Sequence, residues 1–392
     1  MFSVNQHWDP LQVCIVGTTY GPEHYSWIEN AHVRNIFEKI AQETVDDLND
    51  IVKILTNHNV EVLRPEVDTN IHQRTPPPMV PRDWMTMIGN VFYENLSELP
   101  WPGSVLWKDA YNDIKDSSWP EYTSYYDFNR LAPENIKQEI KNVFNIPAPK
   151  NAYSKIFDYI SKQGNSIKSN TYNHLVLNGA AVTRIGRDLY WSTQSEKIKL
   201  ANEEIDKILK FAEQEFPDYR HSIIVTGGHS DGVFCPVVPG LIVSTQYVTE
   251  YQETFPDWEV VFLPDQGKNV MRPWLDLKKK NQGRWWLPGY EYDDALISFV
   301  DTYMDDWIGF VEETVFDVNM LVIDPKNAII FGEHKETINA LERHGVTPHI
   351  AKLRHRWFWD GGIHCVTADL SRIGGRVDYF PNRNRKSKLI GK

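Results

Sequence analysis

Along this chain, short apolar runs come in pairs joined by a tight polar turn. Each pair is followed by a segment of helical period and then by a third apolar run. In "DVNMLVIDPKNAIIFGEHKETINALERHGVTPHIAKL" (317–353) an apolar run meets a turn at 324–327 and a second run follows; a helix-period segment over about 335–344 and another apolar run complete the unit. Runs of this length bounded by Gly, Pro, Asn and Asp read as strands, and the longer 3.6-period segment as a helix, so the order is strand, strand, helix, strand. The order repeats at 178–226, where "AAVTRI" turns at Gly186, Arg187 and Asp188 into "LYWS", a helix covers about 195–215, and "HSIIVT" closes the unit. It repeats again at 232–263, with "GVFCPVV", a turn at Pro239 and Gly240, "LIVS", a short helical stretch and "WEVVFLP". A fourth copy opens with "WMTMIGNVFYE" (84–94), turns at Gly89 and Asn90, and runs into an irregular insertion over about 95–172.

The two ends of the chain supply a fifth unit. "HCVTADL" lacks a partner strand and helix, while the other end offers "LQVCIVG", a helix near 33–57 and "VEVLRP". Repeats that cannot bury their own apolar faces must pack on neighbours. The pattern therefore predicts one α/β domain spanning 1–392, a five-bladed pseudosymmetric propeller of ββαβ modules, its ring closed by joining the N- and C-terminal strands. A basic, aromatic loop over about 264–290 interrupts the fourth module, read as a solvated loop with buried tryptophans, and 382–392 reads as a frayed tail.

One polar residue stands at a similar offset before each turn. Asp83 lies six residues before Gly89, Asn178 eight before Gly186, Asp231 eight before Pro239, Asp317 eight before Pro325, and Cys365 nine before Gly374. Equivalent positions of a ring converge on its axis, so these groups are expected to face one central pocket.

Composition narrows the class. Of 392 residues, 53 are acidic and 41 basic, a formal charge of −12, the opposite of a nucleic-acid binder's balance. Three cysteines make no disulfide framework, which points to a reducing, cytoplasmic setting. The start, "MFSVNQHWDPLQV", lacks a signal-peptide pattern, and the longest apolar stretch, "VFCPVVPGLIVS", is broken by prolines and a glycine, so no membrane association is expected.

Candidate chemistry centres on Cys365. A free cysteine is most often a small buried hydrophobe, and Cys14 in "VCIVG" and Cys235 in "VFCPVV" fit that reading. Cys365 differs: Gly361, Gly362 and His364 beside it suit a site. In "TGGHSDG", His229 and Asp231 alternate on an extended segment and project to one face. They suit a general acid/base with a substrate-gripping carboxylate, against a metal-ligand pair for which no third ligand follows at a suggestive spacing, or a loop histidine bonded to its neighbours. Asp83, in "VPRDWMTMIGN", is either a substrate carboxylate or a strand-end residue paired with Arg82.

With "HWDPLQVCIVG", "PRDWMTMIGN", "TRIGRDLYW", "HSDGVFCPVVPGLIVS" and "GGIHCVTADL" in this order, the chain resembles the glycine amidinotransferases (arginine:glycine and arginine:inosamine-phosphate) of the guanidine-modifying superfamily. The resemblance implies the five-bladed ring and transfer of an amidino group from arginine, or a related guanidine, to an amine such as glycine or an aminocyclitol, releasing ornithine. It implies Cys365 as nucleophile, His229 as general acid/base, Asp83 and Asp231 as the carboxylates holding the guanidinium, no metal or organic cofactor, and a homodimer. His364, beside the nucleophile, is placed with the substrate-contacting groups. Two departures stand out. Asn178 occupies the place of an aspartate that orients the histidine, and the arginine expected after "PGLIVS" to clamp the donor carboxylate is absent, which leaves Arg354 or Arg356 as replacements. The competing readings are a hydrolase using water as acceptor and a catalytically inactive guanidino-compound binder.

Overall fold

The computed structural model describes residues 1–67, 77–94, 111–112, 114–120, 132–144, 152–169, 179–193, 198–225, 229–245, 251–263, 285–304, 317–359, 361–383 and 388–390. Among them the strands fall into five small sheets that repeat one plan, an antiparallel pair followed by a third strand parallel to the second. The first sheet takes β1 (Leu11–Val16) and β2 (Glu61–Leu63) from one end of the chain and, as its outer antiparallel strand, Thr367–Arg372 from the other. The second holds β3 (Met85–Ile88), β4 (Val91–Glu94) and β5 (Ser166–Ser169). The third holds β6 (Val182–Ile185), β7 (Asp188–Thr193) and β8 (Arg220–Val225). The fourth holds β9 (Phe234–Val238), β10 (Leu241–Ser244) and β11 (Glu259–Phe262), and the fifth β12 (Leu321–Asp324), β13 (Asn327–Ile330) and β14 (Thr347–Ile350). Thr367–Arg372 is then β15.

A helix bridges the second and third strands of each plan, because a parallel partner cannot be reached by a tight turn. These are α1 (Ala31–Asn57) in the first sheet and, in the others, Ser154–Lys162, Ile198–Glu215, Tyr251–Thr254 and Lys335–Arg343. In α1 the side chains of Val33, Ile36, Phe37, Ile40, Ala41, Leu48, Ile51 and Leu55 are buried, a 3–4 spacing that lays one apolar stripe against the sheet. Asn30 caps the helix, its side chain accepting from the amides of His32 and Val33. The β6–β7 hairpin turns at Gly186, whose φ of 60° and whose contact with Val377 O, 1.9 Å from where a Cβ would stand, both exclude a side chain.

A buried ionic cluster ties the sheets together. Asp369 on β15 accepts from Arg82 Nη1 (2.5 Å), from Arg184 Nη2 with both oxygens (2.8 and 2.9 Å) and from Arg372 Nε (2.8 Å). Arg82 precedes β3 and Arg184 lies on β6, while Arg372 also donates to Val322 O on β12 at 2.9 Å, so one carboxylate anchors groups from four sheets. The N-terminal segment adds single bridges from Val4 to Gly89 and from Gln6 to Ile185.

Two expectations change. The tail is not frayed throughout: β16 (Lys388–Ile390) pairs in parallel with the open edge of β8 and makes the third sheet four-stranded, satisfying backbone groups that an edge strand leaves unpaired. Asp317 does not turn to a central pocket. Its carboxylate accepts from the amides of Gly332, Glu333 and His334, just ahead of the helix Lys335–Arg343. Of the basic, aromatic loop, 264–284 lies outside the described residues, while Trp285 and Trp286 are buried as expected. Among the described residues no helix is long and apolar enough to cross a membrane.

Candidate active site

The segments that precede the first strands of the modules touch one another in a chain of contacts. Arg82 N–H donates to Cys365 O at 3.2 Å, and Gly179 N–H donates to Arg82 O at 2.9 Å. Asp231 N–H reaches Ala180 O at 3.3 Å, and Ser230 Oγ donates to the same carbonyl at 2.8 Å. The contacts return to the start through His364, whose Nδ1 lies 2.7 Å from Asp231 Oδ2. The Arg82 side chain, held by Asp369, also donates through Nε to His364 O (3.3 Å) and Thr367 O (2.8 Å), so the ionic cluster directly grips the cysteine loop.

Cys365 is 2% exposed. Its Sγ lies 3.6 Å from Asp231 Oδ2, toward which the thiol donates, and 3.2 Å from Asn319 Nδ2, which donates to the sulfur. Asp231 is buried, which by itself would raise its carboxyl; the His364 hydrogen bond and the nearby His229 and Arg82 outweigh that and hold it below the usual carboxylate range. Its second oxygen, Oδ1, is buried with no hydrogen-bond partner among the described residues. A buried charged oxygen without a partner is expensive, and a cationic donor placed against it relieves that penalty. His364 is lowered by burial and then by Arg82, against the pull of Asp231. Facing a carboxylate, its Nδ1 is the donor of this hydrogen bond.

Below these groups a cavity of about 20 Å³, room for about one water, is lined by His7, Thr183, Asp231, Cys235 and His364 among others. His7 Nε2 accepts from the Arg184 amide at 3.2 Å, and its ring centroid lies 5.8 Å from that of His364. Burial pushes the Cys235 thiol up to about 12, with the Asp231 charge adding to it, and burial pushes Cys14 up to about 12 as well. Both match their reading as inert cysteines. Among the described residues no group of three or more His, Cys, Asp and Glu side chains is arranged to hold a metal ion.

Cys365, His364 and Asp231 are thus in mutual contact. His229 immediately precedes the short 3₁₀ turn Ser230–Gly232 that carries Asp231, and its charge acts on that carboxylate. Asp83 ends the 3₁₀ turn Pro81–Asp83, next to the Arg82 that holds Cys365, and its charge acts on Tyr153. The pairing of Arg82 is with Asp369. Asn178 lies outside the described residues.

Arg354 is engaged by α1. It donates through its amide and Nε to Asp47 of α1 (2.7 and 2.8 Å) and through Nη2 to Glu43 O (2.9 Å), with Glu43 and Asp46 carboxylates nearby. A row of acids on one helix thus holds this guanidinium. Arg356 is likewise occupied, donating to Glu333 at 2.7 Å and covering the rings of Phe331 and Trp357. Asn319 was not among the sequence candidates. The signal for it was weak, a polar residue in the otherwise apolar "VNMLVI", two places after the Asp317 that the register singled out.

No protein-family model matches the chain. It is 23% identical over 407 residues, 97% of this chain and 99% of the relative, to an inosamine-phosphate amidinotransferase of Streptomyces glaucescens. It is 22% identical over 418 residues, 95% of this chain and 83% of the relative, to the mitochondrial glycine amidinotransferase of Xenopus laevis. Among solved structures, the inosamine-phosphate amidinotransferase of Streptomyces griseus superposes with a TM-score of 0.59 at 17% identity, covering 97% of this chain and 99% of that one.

Proposed function

We propose, from the premise that this chain belongs to the amidinotransferase family, that it moves an amidino group from arginine or a related guanidine to an amine through a covalent intermediate on Cys365. The observation that carries the reading is the buried Asp231, one oxygen held by His364 beside the Cys365 sulfur and the other without a partner among the described residues.

A guanidinium is planar, permanently charged and presents paired N–H donors that a carboxylate meets well. Asp231 Oδ1 and Asp83 hold the donor cation, which places its central carbon over Cys365. The thiolate forms a C–S bond. His229 then gives a proton to the departing nitrogen, the C–N bond breaks, and the amine product, ornithine when arginine is the donor, leaves behind an amidino-cysteine. The acceptor amine loses its proton to the same histidine, bonds to the amidino carbon and expels the thiolate, so the cycle closes without net redox change. In this reading the orienting role is assigned to Asn178, which lies outside the described residues. An amide stabilises imidazolium less than a carboxylate does, as in other sites where asparagine orients a histidine.

With Arg354 and Arg356 both engaged elsewhere, the donor is recognised chiefly by its guanidinium. The five modules close into a ring around the site as one domain, and the protein works in the cytoplasm as a homodimer. The experiment is a panel of guanidine donors incubated with and without glycine and other primary amines. Ornithine release that depends on the amine supports the transferase. Ammonia release without any amine would make water the acceptor, and release of neither product across the panel would leave only guanidine binding.

A further inference from the structure

Asn319 stands just ahead of β12 and is 1% exposed. Both ends of its amide are committed to the cysteine loop: Oδ1 accepts from His364 N–H at 2.8 Å, and Nδ2 donates to Cys365 Sγ at 3.2 Å. The backbone N–H can only meet an acceptor, so it fixes which way the amide faces and turns the NH₂ group toward the sulfur. We propose that Asn319 is a catalytic residue, a neutral donor that stabilises the thiolate of Cys365 over the thiol. This rests on the reading of Cys365 as the nucleophile.

The sulfur lies between two opposed influences. Asp231 Oδ2, at 3.6 Å, accepts the thiol proton and favours the protonated form. The Asn319 amide favours the charged form, because a hydrogen bond to an ionised acceptor is roughly twice as strong as one between neutral groups. An aspartate would fill the same space but would replace the donor by a negative charge, so only the amide performs this task here.

The backbone is shaped to admit it. A Cβ on Gly362 would stand 2.3 Å from Asn319 Oδ1 and 2.6 Å from its Cγ, so the loop approaches the amide only because residue 362 has no side chain. Gly362 and Asn319 therefore act together, and a methyl group at 362 displaces the amide without introducing charge.

The test is a pH titration of the ultraviolet absorbance of the Cys365 thiolate, each protein read against its own Cys365→Ser counterpart, with folding checked by circular dichroism. In N319D the ionisation midpoint rises by about one pH unit or more; in G362A it rises in the same direction. A shift in N319D with none in folded G362A would reduce the effect to charge repulsion and overturn the donor role, as would no shift in either. Should N319D fail to fold, G362A alone decides. Turnover is not needed for this readout, so a Cys365→Ser enzyme that retained activity would remove the nucleophile reading while leaving the titration result standing.

Discussion

Asp369→Asn keeps the shape of the side chain at the centre of the ionic cluster and removes its charge. In the parent, that carboxylate faces Arg82, Arg184 and Arg372, with the aspartate side chain and all three arginine side chains 9% exposed or less. Burial alone would raise its carboxyl, but Arg184, Arg82 and Arg372 hold it well below the usual carboxylate range. Breaking a buried pair and leaving its partner charge uncompensated costs about 3–5 kcal/mol. With three guanidiniums sharing one anion, the upper part of that range, about 4–5 kcal/mol, is expected. An unfolding entropy near 2.1 cal/mol/K per residue over 392 residues is roughly 0.8 kcal/mol/K, so the melting temperature should fall by about 5–6 °C at pH 7. The pH dependence follows from the direction of the shift. A depressed folded-state pKa contributes stability above the unfolded value, near 3.9, and loses it as pH falls through the lower folded value. Calorimetry at a fixed scan rate should therefore give a constant gap between parent and D369N from about pH 5 to 8, narrowing below about pH 4. A variant that melts within a degree of the parent, or a gap that stays level into acid, would refute the idea that this carboxylate holds the sheets together.

Two further outcomes follow from the site. His364→Ala removes the donor that fixes Asp231 at 2.7 Å. A hydrogen bond to a charged group contributes about 1.5–3 kcal/mol, so kcat/KM for the guanidine donor should fall roughly tenfold or more, mainly through KM, and His364→Asn should restore part of it; equal losses in both variants would contradict the positioning role. Arg354→Ala should leave the KM for arginine within about twofold while lowering thermal stability slightly, since this partly exposed guanidinium serves Asp47 of α1. A large rise in KM would return Arg354 to the substrate.

The modular plan was legible because it is local. Paired apolar runs around a short polar turn read as hairpins, and the predicted helix over 335–344 emerges as Lys335–Arg343. The joining of the two chain ends was readable for the same reason, since each end lacked what the other supplied, and β15 pairs with β1. Cys365, His364 and Asp231 were singled out from residue chemistry and spacing, and the three lie together. What escaped was non-local. Whether Asp317 or Asn319 turns inward depends on how the loop ahead of the helix Lys335–Arg343 uses its acid as a backbone acceptor, which no spacing rule reveals. The pairing of Arg354 with Asp47 joins residues 307 positions apart. Arg82, weighed as a partner for Asp83, is instead buried together with Arg184 on Asp369.

Intact-protein and peptide mass spectrometry after rapid acid quench, with arginine supplied and the amine acceptor withheld, tests the central claim most directly. An added amidino group confined to the Cys365 peptide, discharged when glycine or another accepted amine is supplied and absent from Cys365→Ser, is the predicted result. Turnover of the donor by Cys365→Ser at the parent's rate, or an adduct on another residue, would contradict it.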